Sequence, residues 1–271
     1  MRAKRAFGIY SALVYAFLYL PIVVVVVLAF NGGRQVLNWE GFSTKWFGEA
    51  LSDPTITEPL RNSLLIAVGT AAIACVIGTA LALALSRLHP RLRTPIDAVV
   101  YMTLVTPEIV FGISALIFFV QAGIPLGLWT VLIAHAVFNI SVVALIVRAR
   151  FVGMNQDLEE ASYDLGVGPL KTFRSVTLPR LAPAILAGGL LAFTFSFDDF
   201  ITSFFVSGAG SPTLPLRIFS SLRFGVSPII NATAVMILAL TLVAVVLAYV
   251  VLRRTAAGQR DAVIPLADGR G

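Results

Sequence analysis

Long apolar runs alternate with short polar stretches along this chain. Six runs approach or exceed the roughly 20 residues that a helix needs to cross a bilayer. They cover about 7–30, 63–85, 96–120, 128–147, 182–206 and 229–252. Only helices and closed barrels satisfy the backbone in hydrocarbon, and these runs are too long and continuous for barrel strands. The pattern predicts an all-α, polytopic membrane protein with six transmembrane helices. The transmembrane body covers 1–254 and a flexible polar tail covers 255–271.

Composition agrees: 58% of the 271 residues are hydrophobic and 13% charged, whereas soluble domains sit near half and a quarter. The single Cys75 lies inside an apolar run, which excludes a disulfide framework or a cysteine metal site within the chain. The net charge of +6 is spread between the apolar runs instead of forming one basic patch, so a nucleic-acid partner is not expected. A basic start before an apolar run could mark a signal peptide, but the run 7–30 is longer than an h-region of about 7–15 residues and no A-x-A site follows. This run is read as a retained first span.

Orientation follows from Lys and Arg. With the N-terminus inside, fifteen of the twenty basic residues fall on inner segments and five, Arg34, Lys45, Arg61, Arg217 and Arg223, on outer ones. That bias obeys the positive-inside rule and puts both termini in the cytoplasm. The outer segment 31–62 carries Trp39, Phe42, Trp46 and Phe47. It reads either as an amphipathic helix at the headgroup level or as a docking surface for an external partner. A second outer loop, 206–228, is rich in Gly, Ser and Pro and is expected to re-enter in part.

One inner loop, 151–180, is unusually polar and contains "EEASYDLGVGPLKTFRSVTLP" over 159–179. Asn155 and Asp157 are candidate N-caps for a helix to Asp164. Gly166 and Gly168 supply a turn, and Pro169 opens a second helix to Val176. Pro179 and Pro183 are expected to stop that helix before the fifth span. "GVGPLKT" is not a Walker loop, since Leu170 rather than Gly precedes Lys171 and no strand leads into it. Two short helices on a glycine turn form a knob, read either as a docking element or as a solvated loop.

The same stretch resembles the loop E-A-A-x3-G-x9-I-x-L-P of permease subunits in bacterial ABC importers. Glu160, Ala161 and Ser162 stand at E-A-A, Gly166 follows after three intervening residues, and Val176, Leu178 and Pro179 stand at I-x-L-P. Ser replaces the second Ala and Val replaces Ile. "NSLLIA" (62–67), "LAFTFSFDDFITSFFVSG" (191–208) and "TLPLRIFSSLRFGVSPIINA" (213–232) are similar to the C-type permease of the spermidine/putrescine (polyamine) importers. The resemblance implies a type I ABC importer permease fold with a cytoplasmic coupling-helix loop, in a bacterial inner membrane. It implies a second homologous permease, two ATPase subunits and an extracytoplasmic substrate-binding protein as partners. ATP and magnesium would sit on the ATPases, with no cofactor on this chain. The ATPase-coupling residues it implies are Glu159, Glu160, Ala161, Ser162, Asp164, Leu165, Gly166, Val176, Leu178 and Pro179. Glu160 is expected to meet a basic ATPase group.

Three carboxylates, Glu108, Asp198 and Asp199, lie deep in the predicted spans. Such groups are expensive and face a cavity or a partner. On straight helices Glu108 would lie about 18 Å deep and Asp198 about 24 Å. Adjacent residues point about 100° apart, so Asp198 and Asp199 are not expected to face one cavity fully. The acids read either as a cation path, with Phe195 and neighbouring Phe193, Phe197 and Phe200 for cation–π contacts, or as helix-to-helix glue bonded to Ser196, Thr194 or Asn139. His135 and Asn139 share a helix face at i, i+4, and His135 reads as an interhelical hydrogen-bonder rather than a ligand. Pro107 is expected to kink the third span, and "ILAGGLLA" (185–192) to allow close helix packing. The function expected is ATP-driven import, of polyamines or of another solute such as an opine, ferric iron or thiamine. An ion-driven secondary transporter would call for inverted repeats, which are not evident, and an intramembrane serine protease would have to use His135.

Overall fold

The chain is described from a computed structural model over residues 2–35, 38–155, 157–223, 225 and 227–261, the side chains of 2–6, 244 and 247–261 excepted. Among the described residues it is built of helices, with one isolated antiparallel bridge, Asn31 to Phe42. In order they are α1 (Arg2–Ala29), α2 (Lys45–Ser52), α3 (Pro54–Arg87), α4 (Pro90–Val105), α5 (Glu108–Gln121), α6 (Leu128–Val152), α7 (Asp157–Asp164), α8 (Pro169–Thr172), α9 (Leu178–Asp198), α10 (Ile201–Val206), α11 (Leu214–Leu222) and α12 (Pro228–Asp261). A π-helical turn, Phe173–Thr177, joins α8 to α9. Four stretches are long and apolar enough to span: Phe7–Ala29, Pro54–Arg87, Leu128–Val152 and Pro169–Asp198. The bent pair α4–α5 adds a fifth, and Pro228–Val243 is a shorter apolar helix.

The chain divides into two compact units. The first comprises 1–60 and 216–242. There the connection after α1 is clasped by Asn31, whose amide donates to the carbonyls of Gln35 and Asn38 and accepts from the N–H groups of Gly33 and Glu40. The Trp46 indole donates to the Asn31 carbonyl (2.8 Å), and Phe30 stacks between Phe42 and Phe47. The amphipathic helix expected in 31–62 is thus the two-turn α2, tied back to the end of α1, while Trp39 and Phe42 stay exposed.

The second unit comprises 61–215 and 243–271. Its axis is α6, with Val131, Val143 and Val147 fully buried, packed against α9, α4 and α10. Around Val143 the backbones approach closely. A Cβ on Gly78 of α3 would sit 2.9 Å from the Val143 Cβ, and one on Gly188 of α9 would sit 3.3 Å from its Cγ1. The small residues expected to aid packing in "ILAGGLLA" therefore do so against α3 and α6. Ala74, Ala82, Leu181 and Ala192 complete that core, and Ile66, Phe119, Ala134 and Val206 form a second cluster.

Four expectations change. The second predicted span lies in α3, which begins at Pro54, nine residues before 63. Pro179 and Pro183 do not stop a helix: α9 opens directly from the π turn, where Leu178 N–H donates to the Phe173 carbonyl. Pro179 follows just after that π turn and Pro183 lies inside α9, so the helix runs on through both prolines. The fifth run is not one helix, since α9 ends at Asp198 and α10 starts at Ile201. The expected flexible tail is helical as far as Asp261, and 262–271 lies outside the described residues.

Candidate functional site

Two helix breaks meet in the second unit. The first falls at Thr106–Pro107. A residue before proline is pushed out of the α region, and Thr106 is accordingly extended (ψ 127°), as is Pro107 (ψ 133°). The chain turns by 110° there. The kink expected from Pro107 is therefore a sharp reversal, and depths measured along a straight third span do not apply. The second break is at Asp199 (φ −65°, ψ 120°) and Phe200. α5 packs against α10, and both lie near α6.

A cavity of about 450 Å³ opens between them. Glu108, Asp198, Asp199 and His135 line it, with Thr106, Thr194 and Thr202. Asp198 and Asp199 share this one cavity, contrary to the expectation from helical spacing, because the helix ends between them. Glu108, Asp198 and Asp199 thus lie together on the wall of one cavity. Phe195 lines the cavity too, edge-on to Phe138, which in turn lies edge-on to Phe111. Phe111 and Phe138 are lining aromatics that the sequence did not single out. Phe193 and Phe197 stack on each other instead.

Asp199 is the most tightly held acid. Its Oδ1 accepts from the Ser203 N–H (2.8 Å), capping α10, and faces His135 Nε2 at 3.1 Å. His135 is 4% exposed and bonds Ser196 Oγ through Nδ1 (2.8 Å). Asn139 bonds the His135 carbonyl (2.9 Å). His135 is thus the interhelical hydrogen-bonder expected, and its partners are Ser196 Oγ, Asp199 Oδ1 and, at 3.3 Å, Ser203 Oγ. Ser196, His135 and Asp199 reproduce the bond order of a catalytic triad, but Ser196 is buried and is not a lining residue of the cavity. Glu108 and Asp198, by contrast, are exposed. Irregular backbone at membrane depth is tolerated where it lines a cavity. Paired breaks carrying acids are therefore suited to taking a cation out of water.

The polar loop forms a second site. Asn155 Oδ1 accepts from the Asp157 N–H and caps α7. At its other end Val167 N–H donates to the Ser162 carbonyl and Gly166 N–H to that of Tyr163, with Gly166 at φ +74°. That is a Schellman C-cap, and its left-handed residue favours glycine. Ser162 Oγ bonds Thr172 Oγ1 (2.9 Å), joining α7 to α8. Glu160, Ala161 and Asp164 point out, as do Leu158, Tyr163, Leu170 and Leu165, the last 83% exposed. Leu178 and Pro179 are exposed and Val176 half-buried. Glu159 alone among the described acids of α7 turns inward, a feature the sequence did not signal. It meets Arg87 Nη2 (3.1 Å) and Thr177 Oγ1. Asp97, which the sequence reading also passed over, bonds Arg93 and Arg148.

Residues 74–257 match the family described as binding-protein-dependent transport system inner membrane component. The chain is 37% identical over 246 residues to the Escherichia coli K12 spermidine/putrescine transport system permease protein PotC, covering 91% of this chain and 93% of that one. It is 40% identical over 232 residues to the putrescine transport system permease protein PotI of the same organism, covering 83% and 82%. Among solved structures it resembles a bacterial ABC transporter involved in alginate import (TM-score 0.66, 20% identity, 94% of this chain and 98% of that one). It also resembles the MetNI methionine ABC transporter in an inward-facing conformation (TM-score 0.64, 18% identity, 74% and 95%). The paired helix breaks, the protruding loop and this match place the chain among the ABC importer permeases: it belongs to the family of inner membrane components of binding-protein-dependent transport systems, non-catalytic multi-pass subunits of the ABC importer fold.

Proposed function

We propose that this chain carries polyamines, as one of two homologous permeases in a complex with two ATPase subunits and an external binding protein. The observation that carries the cargo assignment is the cavity in which Glu108, Asp198 and Asp199 meet beside Phe195 and Phe138. Carboxylates replace the water around an ammonium group, and an aromatic face adds cation–π attraction while the methylenes between amines lie on apolar surface. The names of PotC and PotI support this reading, and that of a neighbour in complex with an alginate-bound periplasmic protein supports an external donor.

Both termini and the 151–180 loop face the cytoplasm in this reading, as the distribution of basic residues favours. The exposed Leu158, Leu165 and Leu170, with Glu160 and Asp164 beside them, dock in an ATPase. Val176 in the π turn leads from that docking element into Leu178 and Pro179, the first residues of α9, which ends at the cavity. Closure of the ATPases, which hold ATP and magnesium, then biases the two-state arrangement of the helices around the cavity. Uptake of labelled putrescine and spermidine into cells expressing the whole complex tests the cargo. Polyamine uptake blocked by excess unlabelled polyamine supports it. Uptake of an opine, ferric iron or thiamine instead overturns it.

A further inference from the structure

The outward face of the 151–180 loop accounts for docking but not for how a push on it reaches the bundle. Three elements converge on Glu159. Its Oε2 meets Arg87 Nη2, at the last residue of α3, at 3.1 Å, and its Oε1 accepts from Thr177 Oγ1 in the π turn that opens into α9. The Glu159 side chain is 11% exposed, so its charge is satisfied by these partners more than by water. Arg87 lies over the Phe151 ring (5.8 Å to the centroid), and Phe151 belongs to the core shared with Val147 and Leu181. The knob is also closed on itself by Ser162 and Thr172, and on α9 by Arg180 Nη1, which donates to the Asn155 carbonyl (2.9 Å). It is therefore braced as one body, with Glu159 as its charged tie to the end of α3.

We infer that Arg87, acting through Glu159, is a positioning residue for energy coupling: it makes the loop and the end of α3 move together when the ATPase pushes. This inference rests on the ATPase-docking reading above. A half-exposed ion pair adds little to stability. Its value here is directional, because the pair and the Thr177 bond give one carboxylate a fixed seat between α3, α7 and the start of α9. Without Arg87 the loop still docks, but its displacement is taken up by reorientation of α7 and does not reach α3.

The test uses the whole transporter, reconstituted in proteoliposomes with its ATPase and loaded binding protein, and reads spermidine moved per ATP hydrolysed. Arg87→Gln should retain ATPase co-purification while that ratio falls about tenfold, a coupling loss within the usual range between linked sites. Arg87→Lys should restore most of it, and the reversed pair Arg87→Glu with Glu159→Arg should recover more than either single change. An unchanged ratio in Arg87→Gln, or a reversed pair no better than its single changes, overturns the inference. Loss of ATPase co-purification in Arg87→Gln also overturns it, since Arg87 would then serve docking. If the unaltered transporter shows no ATP-dependent uptake, the ATPase-docking reading fails first, so the two failures are distinguishable.

Discussion

Asp199 and its neighbours Asp198 and Glu108 show how differently one residue type is used within a single cavity. Asp199 spends an oxygen on the Ser203 N–H and on His135, so it frames the site, whereas Asp198 and Glu108 remain exposed to it. Replacing His135 by Ala should strip Ser196 and Asp199 of a buried partner and cost on the order of 1 kcal/mol, typical of interhelical bonds in membranes. Thermal unfolding of the purified complex checks this, and an unchanged midpoint would show that His135 is dispensable to the frame. The acids were legible because a carboxylate inside an apolar run is expensive wherever it points. The aspartate–histidine pairing was not, because it depends on a break at Asp199 that no proline or glycine marks. Glu159 was illegible for a related reason. It and Glu160 are adjacent acids in one motif, and only the placement of Arg87 and Thr177 decides which turns inward.

Breaks and turns govern the elements. Thr106–Pro107 was readable because proline restricts its predecessor by steric contact alone. Pro179 and Pro183 misled because the helix passes through both, with a π turn just before Pro179. Gly166, at φ +74°, is the loop's fixed point. Gly166→Val should cost about 1–2 kcal/mol from the left-handed backbone. The loop should then be cut faster by protease and co-purify less ATPase. Equal protease resistance would mean that the turn tolerates a side chain. Where α3, α6 and α9 meet, Gly188→Leu should overpack against Val143 and lower stability by about 1–3 kcal/mol, read as a lower unfolding temperature.

On the scale of the whole molecule, apolar runs were enough for a helical membrane protein, since hydropathy over about 20 residues is a strong constraint in lipid. They were not enough to divide that chain into helices. Runs three and five each hold two helices, and their breaks form the cavity. The helix ends that look like interruptions of a span are thus where the three carboxylates gather on one cavity wall. The central claim is that cation cargo passes between those breaks under the drive of a docked ATPase. Its most direct test is uptake of labelled spermidine by proteoliposomes holding the complete transporter and its loaded binding protein, with and without ATP on the ATPase side. Glu108→Gln combined with Asp198→Asn is compared with the unaltered chain. The account predicts ATP-dependent uptake by the unaltered chain and a rate lower by about tenfold or more, equivalent to roughly 1.4 kcal/mol, when both exposed acids are neutralised. Spermidine uptake that persists without ATP, or that is undiminished in the doubly neutralised chain, would contradict it.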